Sequence, residues 1–178
     1  CKGDAGQPFG RAGGQMIQPE DLIGKNVYKI GRAAAMCWIH FGRPTEVELR
    51  GRKRTLGEFA LDLDCPWRIK NSSGGIELGA ADMFAPASGH DLDEDFDWDI
   101  QGNNLFDEKA ELLFSESTQI IVTSVKLSGN YDLTITFSNG LKLECFVNAS
   151  SQEECWRLFK PELEDGDFII TGVGMDKH

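Results

Sequence analysis

No stretch of about 18 consecutive apolar residues occurs, so no segment reads as a membrane-spanning helix. The first residues, Cys1-Lys2-Gly3-Asp4, lack the apolar core of a secretion signal, and a soluble, cytoplasmic protein is expected. Cysteine is sparse: Cys1, Cys37, Cys65, Cys145 and Cys155 are too few and too scattered for a disulfide scaffold, and none forms a C-x-x-C pair. A reducing compartment fits that usage. Catalytic and cofactor fingerprints are also missing. There is no Gly-x-Ser-x-Gly elbow and no P-loop, and Gly172-Val173-Gly174 is too short for a dinucleotide fingerprint. No catalytic residue, cofactor or metal is therefore assigned.

What the chain does have is apolar and aromatic content sufficient for a core: 40% hydrophobic residues, with four Trp and eleven Phe in 178 residues. That length suits one domain. Residues 1–18, rich in Gly and Gln, read as a flexible N-terminal arm, and residues 19–178 as a single globular domain. Two readings of Cys1 stay open, the lipidated start of a mature lipoprotein on a Gly-rich tether or a cloning boundary. The net charge of −11 is uneven: residues 1–56 hold ten basic and five acidic side chains, residues 57–178 eight and twenty-four. So acidic a body disfavours nucleic acid and suits a basic protein partner.

The fold class expected is α+β, mainly antiparallel β. Val27-Tyr28-Lys29-Ile30 reads as a first strand broken by Gly31, and Ala33 to Phe41 as a buried strand. Residues 46–49 and 58–64 read as a hairpin with a basic tip, part of an N-terminal hairpin-containing sheet. Residues 79–106 read as a long loop with short extended pieces. The clearest signal is a three-stranded meander over 120–127, 131–137 and 141–147, with Asn139-Gly140 suited to a tight type I′ turn. Ser150 or Ser151 ahead of Glu153 and Glu154 resembles a capping box, and predicts a short helix through Cys155, Trp156, Leu158 and Phe159, stopped by Pro161. Phe168-Ile169-Ile170 is a closing strand.

Several residue groups are candidate sites. In Asp91-Leu92-Asp93-Glu94-Asp95-Phe96-Asp97-Trp98-Asp99, an extended backbone would turn Asp91, Asp93, Asp95, Asp97 and Asp99 to one side and the aromatics to the other. That stripe could dock a cationic partner, or be a solvated loop held down by Phe96 and Trp98. It fits calcium poorly, because Phe96 and Gly102 stand where an EF-hand needs Gly and Glu. The basic patch Arg50, Arg52, Lys53 and Arg54 could hold phosphate, pair internally or guard a strand edge. Trp67-Arg68 and Trp156-Arg157 could line one small-ligand or nucleotide pocket; the simpler reading buries both tryptophans and pairs the arginines with Asp62, Asp64 or Glu154. Cys37 and His40, three apart in a strand, should face opposite ways and so cannot cooperate. His90 and His178 have no ligand-like spacing.

The order Leu61-x-x-x-Cys65-Pro66-Trp67-Arg68-Ile69, Gly79-x-x-Asp82, Leu141-x-Leu143-x-x-Phe146-x-Asn148-x-Ser150 and Glu154-x-Trp156-Arg157 resembles a group of small bacterial proteins classed as domains of unknown function. The resemblance spans roughly residues 20–174 and implies a bacterial origin and a compact domain, with no activity attached. The functional expectation is a non-enzymatic binding protein, of the immunity or antitoxin kind, that neutralises a basic partner through its acidic surface. The alternatives are a small-ligand module using Arg68 and Arg157, or an enzyme whose carboxylates, among them Asp62, Asp64 and Asp82, meet in space.

Overall fold

The structure is a computed structural model and describes residues 16–49, 51–91, 95–114 and 119–176. Arg50, Asp93, Cys1, His178 and most of the expected N-terminal arm lie outside the described residues. A 3-10 turn at Pro19–Leu22 leads into strands β1 (Val27–Ala33), β2 (Met36–Phe41), β3 (Thr45–Leu49), β4 (Arg52–Leu56), β5 (Phe59–Leu63), β6 (Trp67–Lys70) and β7 (Ile76–Gly79). A second 3-10 turn, Ala80–Phe84, precedes helix α1 (Leu105–Leu113). Strands β8 (Val122–Leu127), β9 (Leu133–Phe137), β10 (Lys142–Cys145), β11 (Glu154–Phe159), β12 (Phe168–Thr171) and β13 (Gly174–Met175) follow.

Every strand pairing is antiparallel among the described residues, as the mainly β expectation requires. A six-stranded sheet runs β1-β2-β5-β11-β12-β13, a five-stranded sheet runs β7-β6-β10-β9-β8, and β3-β4 stands apart as a hairpin. Their inner faces share one core. Ile39, Leu61, Trp156, Leu158 and Ile170 come from the first sheet, and Ile69, Ile135 and Leu143 from the second, all fully buried. Burial drives this: side chains at alternate strand positions face the same way, so each strand can give one face to the core.

The sheets meet at two corners. Asp64-Cys65-Pro66 carries the chain from β5 in one sheet directly into β6 in the other. Pro66 lacks an N–H and sits in this corner, where no ladder bond is needed, while its carbonyl accepts from the Phe146 amide at 2.9 Å. On the opposite edge, backbone bonds from Gly24 to Val122, Val122 to Lys25 and Val27 to Ile120, at 2.8–2.9 Å, stitch the start of β1 to β8.

The meander is present, as β8-β9-β10 in register. Its second turn differs from type I′: Gly140 has φ +85 but Asn139 does not have positive φ, and the Gly140 amide donates to Phe137 O at 3.0 Å. That is a type I turn closed by a left-handed glycine. The predicted helix around Trp156 is a strand, β11. Trp156 and Leu158 point to the core and Arg157 and Phe159 away from it, a period of two, and β11 is paired on both sides, by β5 and β12. The serine signal is local: Ser151 Oγ accepts from the Glu153 amide at 3.4 Å.

The helix lies instead at α1, inside and beyond the segment read as loop. Asn104 caps it, its Oδ1 accepting from the Asp107 amide at 2.9 Å, and buried Phe106 meets the edge of Trp67 at 5.9 Å between centroids. Gly31 does not end β1. It lies beneath the Trp38 indole, where a Cβ would strike the ring, and the chain reverses at Ala34, whose φ is +50. The basic residues likewise lie in a strand. Arg52, Lys53 and Arg54 belong to β4, which pairs with β3, whereas β5 pairs with β2 and β11.

Candidate functional site

Strand register brings a row of side chains together on the outer face of the six-stranded sheet. Trp38 lies opposite Asp62, Asp62 opposite Arg157, and Arg157 opposite Ile169. Their neighbours Leu61, Leu63, Trp156 and Leu158 fill the core, so alternation turns this row outward. Arg157 Nη2 lies 3.3 Å from Asp62 Oδ2, and its guanidinium stands 4.9 Å from the Phe159 ring. Its Nε is 3.5 Å from Glu154 Oε1 but poorly aimed, and is buried without a hydrogen bond.

One guanidinium faces several carboxyls here. Burial pushes the carboxyls of Asp62, Glu154 and Asp167 above their ordinary range, and repulsion adds to it, from Asp167 on Asp62, from Asp62, Asp64 and Asp167 on Glu154, and from Asp165 on Asp167. Arg157 offsets this only in part.

Beside the row, at the corner where β5 leaves the sheet, opens a cleft of about 800 Å³ lined by Asp64, Asn148 to Ser151, and Glu153 to Cys155. No Lys or Arg lines it among the described residues. Its wall is held by two backbone bonds, Asp64 N to Cys155 O at 2.9 Å and Gly172 N to Glu153 O at 3.2 Å. Gly172 permits the close approach, since a Cβ there would lie 2.5–2.7 Å from backbone atoms of Ala149 and Ser151. The register shift between Glu154 and Trp156 buries Cys155 beside Trp156 and leaves Glu153 and Glu154 at the mouth.

The acidic segment has other employment. Arg32, buried with Asp107 at 3.0 Å, also reaches Asp99 Oδ1 at 3.4 Å and the carbonyls of Asp99 and Ile100. Asp97 Oδ1 accepts from the Asp99 amide at 3.0 Å, and Trp98 packs on Phe84 at 5.0 Å. From Asp95 to Asp99 the backbone turns and does not run as a strand, yet Asp95, Asp97 and Asp99 are exposed while Phe96 and Trp98 are half-buried. Asp91 and Asp95 line a smaller hollow of about 220 Å³ with His90, Phe96 and Asn103.

Arg68 and Arg157 do not share a pocket. Trp67 and Trp156 are both core residues, so the arginine after each points outward from a different sheet, Arg68 to Glu144 at 2.8 Å and Arg157 to Asp62. Nor do Asp62, Asp64 and Asp82 form one group, for Asp82 caps the second 3-10 turn by accepting from the Gly79 amide at 2.9 Å and lies 3.7 Å from Lys109 Nζ. In the basic patch, Arg52, Lys53 and Arg54 are exposed on β4, with Lys53 3.7 Å from Glu46. Cys37 is buried in the core and His40 lies on the outer face, its ring packed at a tilt against Trp38 with centroids 4.7 Å apart. Among the described residues no group of three His, Cys, Asp or Glu is placed to hold a metal ion, and no helix is long and apolar enough to cross a membrane.

In the sequence Asp64 stands out as an arginine partner and as one of three dispersed carboxylates, Glu154 as an arginine partner, and Glu153 and Ser150 or Ser151 only as a capping pattern. No sequence signal marked these residues as one site, because the cleft exists only through the β11 pairing and the corner at Asp64.

No family model, curated protein or solved structure matches the chain.

His40 gives this face a pH dependence. Burial, with Lys29 nearby, lowers its pKa from 6.5 to about 4. The unfolded chain therefore takes up a proton between about pH 6.5 and 4 that the fold refuses. Stability falls with pH through that window, by about 3 kcal/mol at pH 4 from this residue. Asp62, Glu154 and Asp167 have the opposite sign: their raised pKa values mean protonation relieves the folded state as pH falls. Urea unfolding at pH 7, 5.5 and 4 should show the loss in the native chain and a flatter profile in His40→Gln. Parallel profiles would show that His40 is not its source.

Proposed function

We propose that the protein is a non-enzymatic binding protein that receives a cationic group of a basic protein partner in the Asp64–Glu153–Glu154 cleft. The observation that carries this reading is a polar cleft with three acidic residues and no Lys or Arg in its lining among the described residues. A lysine or arginine side chain entering it gains charge-assisted hydrogen bonds and relieves the repulsion that, after burial, raises the Glu154 carboxyl. Asn148, Ser150 and Ser151 add neutral acceptors around the same space. The net charge of −11 steers a basic partner from a distance, and the cleft supplies the local fit. Immunity or antitoxin-like neutralisation is the biological role this chemistry suits.

Fluorescein-labelled hexalysine tests location against bulk charge. Asp64→Asn/Glu153→Gln/Glu154→Gln and Asp91→Asn/Asp95→Asn/Asp97→Asn remove the same charge from two surfaces. The cleft variant should lose roughly tenfold or more in affinity and the loop variant no more than about twofold at 0.15 M salt, where charges beyond about 8 Å are screened. Equal losses, or a larger loss in the loop variant, would remove the cleft from the account.

A further inference from the structure

Cys65 and Cys145 are eighty residues apart in sequence, yet their Sγ atoms lie 3.3 Å apart. Cys65 sits in the corner where the chain crosses between sheets, and Cys145 ends β10 opposite Trp67. Both are free thiols, Cys145 fully buried and Cys65 nearly so. Backbone fixes the pair from both sides: Phe146 N donates to Pro66 O at 2.9 Å, and Asp64 N to Cys155 O at 2.9 Å.

Two uses of adjacent sulfurs can be separated by distance. Two thiolates on a linear metal ion would stand about 4.6 Å apart, given metal–sulfur bonds near 2.3 Å, and a tetrahedral site needs further ligands. The observed spacing is too short for the first, and the described residues offer no third ligand for the second. A disulfide needs about 2 Å between sulfurs, a closure of little more than 1 Å.

We propose that Cys65 and Cys145 form a disulfide by exchange with a small-molecule disulfide such as oxidised glutathione. Cys65 is the entry point. It alone of the pair retains surface, and the Cys145 thiol as donor and the Phe146 amide favour its thiolate, while Cys145 is pushed up. The Cys65 thiolate attacks one sulfur of the small disulfide, forming a mixed disulfide and releasing one thiol. The Cys145 thiolate then attacks the Cys65 sulfur and releases the second. The two protein thiols lose two electrons and two protons, and the small disulfide becomes two thiols. The bond closes a loop that contains β6 to β10, the whole five-stranded sheet, together with α1.

The test uses the full reduced chain, incubated with oxidised glutathione, unfolded, alkylated, digested and mapped by mass spectrometry without reductant. The Cys65 and Cys145 peptides should be cross-linked while Cys37 and Cys155 are alkylated. Tm should rise by roughly 10 °C, reversibly with dithiothreitol, as expected for so long a closed loop. Cys145→Ala should trap glutathione on Cys65, and Cys155→Ala should leave the cross-link intact. The proposal is overturned if Cys65 and Cys145 remain alkylated, if glutathione stays on Cys65 in the native chain, or if cross-links to Cys37 or Cys155 form as readily.

Discussion

Arg32→Ala should lower the free energy of unfolding by about 3–5 kcal/mol, the usual cost of leaving one member of a buried ion pair alone. Arg32 and Asp107 have side-chain exposures of 3% and 4%, so water cannot replace the lost partner. The pair is bidentate, Nε to Oδ1 and Nη2 to Oδ2, both at 3.0 Å, and Asp107 Oδ2 also accepts from the Gly102 amide at 2.8 Å. Arg32 thus ties β1 to α1 and, through the carbonyls of Asp99 and Ile100, to the acidic segment. Thermal unfolding should show Tm lowered by roughly 10 °C. Limited proteolysis should show new cleavage between 95 and 104. Replacing both partners, Arg32→Met with Asp107→Leu, should cost less than Arg32→Ala, since no buried charge is stranded. A double variant less stable than the single one would mean that the pair itself does not hold the segment.

Trp156→Ala should be of similar size, about 3–5 kcal/mol for the cavity, with about 1 kcal/mol more for the carbonyl it strands. The indole is fully buried, stacks on Phe168 at 5.5 Å and donates from Nε1 to Tyr131 O at 3.0 Å. That bond joins β11 of one sheet to the β8-β9 turn of the other, and Tyr131 has φ +64 where it is made. Trp156→Phe keeps much of the packing and loses the bond, so about 1–2 kcal/mol is expected. Chemical denaturation of both variants measures the split. Equal losses would assign the whole effect to the bond and none to packing volume.

Trp156 also shows what could and could not be read in the sequence. The meander was legible because alternation and turn residues are local properties, and the β8-β9 and β9-β10 pairings join neighbours in sequence. The helix expected around Trp156 failed because Ser-x-x-Glu spacing is equally compatible with a serine-capped turn. What decides for a strand is the empty place between β5 and β12, nearly a hundred residues away in sequence on one side. Helix α1 was legible and was missed: Asn104 three residues before Asp107, ahead of Leu-Phe-Asp-Glu-Lys-Ala-Glu-Leu-Leu, is a capping signal hidden by the neighbouring Gly and Asn. Gly31 looked like a strand break and is a strand residue whose missing Cβ makes room for Trp38.

The acidic residues divide along the same line. Asp91 to Asp99 stand out in sequence because they are crowded into nine residues, and the structure uses Asp97 and Asp99 to fold their own loop. Asp64, Glu153 and Glu154 are dispersed, and only the corner at Cys65 and the shifted register of β11 bring them around one opening. The proposed binding surface therefore depends on contacts between residues some ninety positions apart, which composition and spacing do not encode.

The most direct measurement of that surface is an amide chemical-shift titration of the isotope-labelled protein with hexalysine. The account predicts the largest shifts over Asn148 to Cys155 and at Asp64, saturating together, with smaller changes over 95–99. Shifts concentrated at 91–99, or spread evenly over every acidic surface, would contradict it.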